Sequence, residues 1–237
     1  MSTDALPGTA GQDAGLESDR ALLGRTSTAE RLADILRTRI IEGYFPPGTR
    51  LSEEAIGTAL KVSRNTLRET FRLLTHERLL VHELNRGVFV RVLTAEDVAD
   101  LYRLRKIVEC AIVRGVTGPP GDALRPVEAA VEEGRDAAKR QAWRELGTAN
   151  IHFHQALMTL GGSTRVDELM RGVLAELRLV FHVMVDPQPF HEPYLDRNAQ
   201  ILNALRTGDG KTAERLLAGY LDDAERQLLE AYRSKAL

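Results

Sequence analysis

"KVSRNTLRETFRLLTHERLLVHELNRGVFV", Lys61 to Val90, decides how the first third of the chain is read. Leu67, Phe71 and Leu74 recur at helical spacing and give the segment one apolar face. Ser63 stands just ahead of them, where a short hydroxyl can cap the helix. The opposite face carries Arg64, Asn65 and Thr66 in its first turn, with Arg68 and Arg72 one and two turns further on. Arginine and asparagine can reach guanine and adenine edges, while hydroxyls and backbone N–H groups meet phosphates. Such a helix is expected to enter a major groove by its N-terminal end. Apolar and polar residues then alternate on both sides of Asn85-Arg86-Gly87, which predicts a β-hairpin. With Arg86 at its tip, that hairpin would be a wing able to reach the DNA backbone or minor groove.

Upstream, Thr28 is the expected N-cap of a helix whose inner face is Leu32, Ile35, Leu36, Ile40 and Ile41. Gly43 and Pro46-Pro47-Gly48 end it. Ser52 is expected to cap a short helix that buries Ala55, Ile56, Ala59 and Leu60, and Lys61-Val62-Ser63 makes the tight turn into the next one. Residues 1–27 lack the basic and apolar regions of a signal peptide, and their small polar composition predicts a disordered lead. Residues 28–93 hold 11 basic and 8 acidic side chains, although the whole chain has net charge −2. The basic excess sits where a polyanion would bind.

The stretch "FPPGTRLSEEAIGTALKVSRNTLRETFRLLTHERLLVHELNRGVFV" resembles the winged helix of GntR-type transcription regulators, and the resemblance spans residues 28–93. Carried over position by position, it implies DNA contacts at Arg50, Ser63, Arg64, Asn65, Thr66, Arg68, Arg86 and Gly87. Asn65 departs from the threonine common there. Residues 95–235 resemble the all-helical, ligand-sensing domain of the FadR-like branch. Together these imply a homodimer on a palindromic double-stranded operator, with repression as the expected sign.

The remainder is almost unbroken helical pattern, interrupted at "GPPGD", "GGS", "DPQP" and "TGDG". Six helices are expected, near 94–115, 122–140, 142–160, 163–185, 193–207 and 210–234, so the fold class is mainly α: a winged helix-turn-helix and a helical bundle. Leu101, Leu104, Val108 and Ile112 define the expected inner stripe of the first of these. Bundle sites are built from polar side chains that share an inner stripe. Asn150 and His154 lie one turn apart beside Leu146, Ala149, Phe153 and Leu157, whereas His152 is turned away from them towards solvent. Asn198, Tyr220, Arg105 and Arg178 flank the apolar stripes of four other helices. Two arginines among neutral donors suit a small organic acid.

Many FadR-like domains hold a divalent metal on Asp-x-x-x-His plus one histidine from each of the last two helices. At those positions this chain has Asn150, His154, Asn198 and Tyr220, so only His154 matches. No metal and no other cofactor is therefore expected, the alternative being a metal-sensing regulator. His182 and His191 are read as surface or packing residues.

No Gly-rich phosphate loop, His-Glu-x-x-His or Ser-His-Asp arrangement occurs, so no enzyme is expected. The lone Cys110 excludes an internal disulfide and reads as a core residue in a reducing compartment. No apolar run reaches the roughly 20 residues of a membrane span. The expected location is the cytoplasm.

Overall fold

The computed structural model describes residues 27–184 and 186–235. The lead expected over 1–27 therefore lies outside the described residues except for Ser27. That serine, rather than Thr28, caps the first helix. It forms a reciprocal capping box with Glu30, which places the N-terminus one residue earlier than the sequence suggested.

Helix α1 (Thr28–Ile41), α2 (Glu53–Leu60) and α3 (Arg64–His76) form the helix-turn-helix, and Ser52 and Ser63 cap the second and third as expected. Strands β2 (Leu80–Glu83) and β3 (Gly87–Val90) make the hairpin. A third strand, β1 (Arg50–Leu51), pairs antiparallel with the far edge of β3, giving the order β1-β3-β2. The core of this unit is Leu32, Leu36, Ile40, Ile56, Leu67, Phe71, Leu74, Leu80 and Val90. Two expected faces need correction. Ile35 is half exposed on α1, and on α2 only Ile56 is buried, because the short helix meets its neighbours along a single line.

The helical part comprises α4 (Ala95–Arg114), α5 (Arg125–Lys139), α6 (Trp143–Thr159), α7 (Thr164–Val180), α8 (Gln188–Arg206) and α9 (Gly210–Lys235). α7 ends earlier than expected, in a 3-10 turn over Phe181–Val183. α8 starts before Pro193, with Pro189 in its first turn, where a missing N–H costs little, and Pro193 inside the helix. The inner stripe of α4 is also rotated from expectation. Leu101 is buried as expected, but Val98, Tyr102, Arg105, Glu109 and Val113 share the inner line with it, while Leu104, Val108 and Ile112 are only partly covered. Two charged residues thus occupy the line facing the centre.

α7 joins the two parts. Every residue from Val173 to Val180 is buried, because one side of the helix packs in the bundle and the other meets the winged helix. Arg91, just after β3, donates to Glu176 of α7 at 2.8 Å and to Asp97 of α4 at 2.5 Å. The His182 ring lies against Gly43 at the end of α1.

Candidate functional site

The candidates for DNA contact fall into two groups, the first turns of α3 and the wing. Ser63 Oγ accepts from the Thr66 amide at 3.1 Å and lies 2.8 Å from Thr66 Oγ1. These hydroxyls complete the cap, which leaves Arg64 and Asn65 as the exposed side chains of the first turn. Arg68, exposed one turn later, stands 3.7 Å from Glu53 Oε2, a separation that solvent screening makes weak. A groove of about 470 Å³ between α3 and the wing is lined by Glu53, Arg68, Phe71, Arg72, Thr75, His82 and Val88.

The second group is the wing. β1 brings Arg50 beside β3, with its Nε 3.2 Å from where a Cβ on Gly87 would sit. Gly87 has φ 110°, so both its backbone and its missing side chain suit glycine. Arg86 pairs with Glu83 and lies over the Phe89 ring. The strand pairing that joins Arg50 to the tip is invisible in the sequence, because a two-residue strand has no period to read.

Inside the helical bundle the expected polar residues converge, with one important addition. Glu109, fully buried on α4, accepts from Arg105 Nε at 2.7 Å and lies 2.7 Å from His154 Nδ1 on α6. Burial lowers the His154 pKa despite the carboxylate beside it, so the ring is neutral near pH 7. For Glu109, burial pushes the pKa up, but Arg105 and His154 more than offset it and the group stays ionised. A carboxylate only accepts, so the His154 proton is assigned to Nδ1 and Nε2 carries the free lone pair.

A second knot adjoins it. Asn150 Oδ1 accepts from Asn198 Nδ2 and from Tyr220 Oη, both at 2.8 Å. The Tyr220 ring stacks edgewise on His154 and lies against Tyr194. Four buried atoms of this cluster have no partner among the described residues, namely Arg105 Nη2, His154 Nε2, Asn198 Oδ1 and Tyr194 Oη. Glu109 was missed because a charged residue inside an apolar pattern reads as facing out. Its spacing of one turn from Arg105 was the available signal.

Arg178 stands apart. Its Nη2 donates to the Arg144 carbonyl at 3.3 Å, and its guanidinium lies 5.7 Å from the Phe181 ring centre. Burial, helped by the nearby Arg144 charge, lowers its pKa to about 10. His191 sits close by, buried against Phe181 and Phe190, with its pKa lowered to about 3 by burial and then Arg178. Gly147 leaves room for it, since a Cβ there would come within 2.7 Å of His191 Nε2. His152 is on the outside, 2.8 Å from Glu133. The Cys110 thiol is partly buried and pushed up to about 11, which makes it unreactive.

The cluster does not fit a divalent metal. His154 Nε2 is a single nitrogen donor, and Asn150 Oδ1 is already engaged by two donors. Among the described residues no three His, Cys, Asp or Glu side chains could hold an ion together. No helix among them is long and apolar enough to cross a membrane.

Comparison with known proteins agrees with both halves. Residues 28–90 match the bacterial regulatory proteins of the gntR family, and residues 100–223 match the FCD domain. A solved structure of a GntR transcriptional regulator from Rhodococcus sp. RHA1 superposes with a TM-score of 0.83 at 53% identity, over 87% of this chain and 100% of that one. An uncharacterised HTH-type regulator of Streptomyces ambofaciens is 32% identical over 207 residues, 81% of this chain and 82% of its own. The HTH-type transcriptional repressor RspR of Escherichia coli (strain K12) is 25% identical over 195 residues, 82% of this chain and 86% of its own. The chain therefore belongs to the GntR family of transcription regulators, which are not enzymes, and joins a winged helix-turn-helix to an FCD domain.

Proposed function

We propose that this regulator binds a palindromic operator as a cytoplasmic homodimer, that residues 28–93 contact DNA, and that residues 95–235 dimerise and bind a small organic acid. The sign proposed is repression. Arg64, Asn65 and Arg68 read the major groove, Ser63 and Thr66 set the first turn against phosphates, and Arg50, Arg86 and Gly87 form the wing contact. The effector site is the cluster of Arg105, Asn150, His154 and Asn198 with Tyr220, extended towards Arg178.

The unpartnered atoms of that cluster carry the effector reading. A buried polar atom without a hydrogen bond costs on the order of 1–3 kcal/mol, and several gathered in one apolar bundle call for a bound polar molecule. Ligand binding reaches the DNA-binding unit through α7, whose Glu176 holds Arg91.

The DNA assignment is tested by gel shift on an operator obtained by selection. Arg64→Ala and Arg68→Ala should each weaken binding by roughly 1–3 kcal/mol and relax base preference. Unchanged operator affinity would sink the docking geometry. Dialysis against EDTA should leave operator binding and its response to effector intact. Loss of either would favour the metal-sensing reading.

A further inference from the structure

On α3, Arg64, Arg68, Arg72 and Thr75 follow one another at steps of four, four and three residues, so they form one stripe along the helix. Arg64 and Arg72 are eight residues apart, about 12 Å at the usual helical rise. The major groove of B-DNA is also about 12 Å wide. A helix that sets Arg64 over the bases therefore carries Arg72 out to the groove's edge, where phosphates and not base edges are in reach.

Arg68, Arg72 and Thr75 form one wall of the groove of about 470 Å³ between α3 and the wing. The other wall is His82 of β2, which pairs with Val88 of β3 and so projects from the same face of the hairpin. Phe71 and Val88, both buried, make the floor. His82 stands three residues before Asn85 of the turn, roughly 10 Å behind the wing tip. A minor groove is about 7.5 Å deep, so a tip lodged in one leaves His82 at the level of the backbone.

One sugar–phosphate strand separates a major groove from the minor groove beside it. A duplex gripped by α3 in the first and by the wing in the second must pass that strand through the gap between them. The donors in the gap are available to it. No hydrogen bond engages the side chain of Thr75 or His82 among the described residues. Arg72 is held by Glu69, three residues away on the exposed face, at 2.6 and 3.0 Å, and a surface pair of this kind contributes little. Glu53 is the exception. Its carboxylate closes the α2 side of the groove 3.7 Å from Arg68, where it repels a phosphate and occupies Arg68 in its place.

We propose that this groove seats a single sugar–phosphate strand of the operator, with Arg72, Thr75 and His82 donating to its phosphates, and that Glu53 reserves Arg68 for a base. This rests on the proposed DNA docking and adds to it three backbone contacts outside the positions carried over from the family motif.

The test measures binding of the full chain to a selected operator and to a scrambled duplex of equal length, by fluorescence anisotropy over a series of salt concentrations. Arg72→Gln should weaken both duplexes by the same factor, roughly ten-fold, and reduce the salt slope of log K by about 1. His82→Phe should weaken both equally by a few-fold. Replacing operator phosphates one at a time with uncharged methylphosphonate should locate a position where the unaltered protein loses affinity and Arg72→Gln loses none. Glu53→Gln should tighten the scrambled duplex several-fold and the operator by less, since Arg68 is released to phosphates. An unchanged salt slope in Arg72→Gln, or an altered base preference, overturns the seat. An unaltered ratio of operator to scrambled affinity in Glu53→Gln overturns the role of Glu53. Arg64→Ala separates these failures from failure of the docking itself. It should relax base preference, and if it changes nothing, α3 does not enter the major groove and the seat falls with it.

Discussion

Glu109→Gln is the sharpest test of the bundle centre. The carboxylate is fully buried and accepts from Arg105 at 2.7 Å through one oxygen, while the other lies 2.7 Å from His154. A glutamine keeps the volume, and its amide can accept from Arg105 and donate to His154 Nδ1 once the imidazole proton moves to Nε2, so the hydrogen bonds can survive while the charge is lost. Arg105 nevertheless becomes a buried cation with no counter-charge. Breaking a buried pair in this way costs about 3–5 kcal/mol. At roughly 2–4 °C per kcal/mol for a chain of this size, the melting temperature should fall by about 6–20 °C. Adding Arg105→Met removes the stranded charge, so the double variant should recover most of the loss, with a coupling of at least about 2 kcal/mol. Urea denaturation of the ligand-free proteins, followed by circular dichroism, measures all three differences. A loss under about 1 kcal/mol for Glu109→Gln, or a double variant no more stable than the single, would mean that water already reaches Arg105 and that the charge-paired centre is wrong.

Two further predictions follow from neighbouring groups. His191 has a folded pKa depressed to about 3 from an ordinary 6.5, so its stability contribution is complete above 6.5. As the pH falls below that, the unfolded chain takes a proton the native one refuses. Stability should then drop by on the order of 1.4 kcal/mol per pH unit from this residue, with His154 adding in the same direction. His191→Phe, in its aromatic nest, should flatten the slope between pH 6.5 and 5, and an unchanged slope refutes the assignment. Glu176→Gln should leave Arg91 paired with Asp97 yet loosen α7 from the winged helix. Fluorescence anisotropy should then show near-normal operator affinity with a diminished response to the organic-acid effector, and a full response would remove this clasp from the signalling route.

The winged helix was legible because its signals are local. Ser52 and Ser63 cap, Leu67, Phe71 and Leu74 repeat, and Asn85-Arg86-Gly87 turns, each within a few residues. β1 was not legible, since Arg50 and Leu51 are a strand only by pairing with Phe89 and Val88. The rotation of α4 was missed for a related reason. Reading by apolar period places every charge outward, but Arg105 and Glu109 neutralise each other and can share the inner line with Tyr102 and Val113. The one-turn spacing of Arg105 and Glu109 was the local hint of that cancellation, whereas their third partner, His154, comes from α6 and is seen only in the fold.

The same kind of cancellation separates the two arginines that the sequence could only group together. Arg105 and Arg178 looked equivalent as cations beside apolar stripes, yet one has a carboxylate and the other has none. On α7, Glu176 and Arg178 are two residues apart, about 200° around the helix, so they face opposite sides. Glu176 holds the winged helix through Arg91, and Arg178 faces α6 through the Arg144 carbonyl. An effector that reaches Arg178 would therefore act on the same turn of α7 that grips the DNA-binding unit. A shift of that turn by a fraction of its pitch would be felt at Arg91 directly, with no relay through the rest of the bundle.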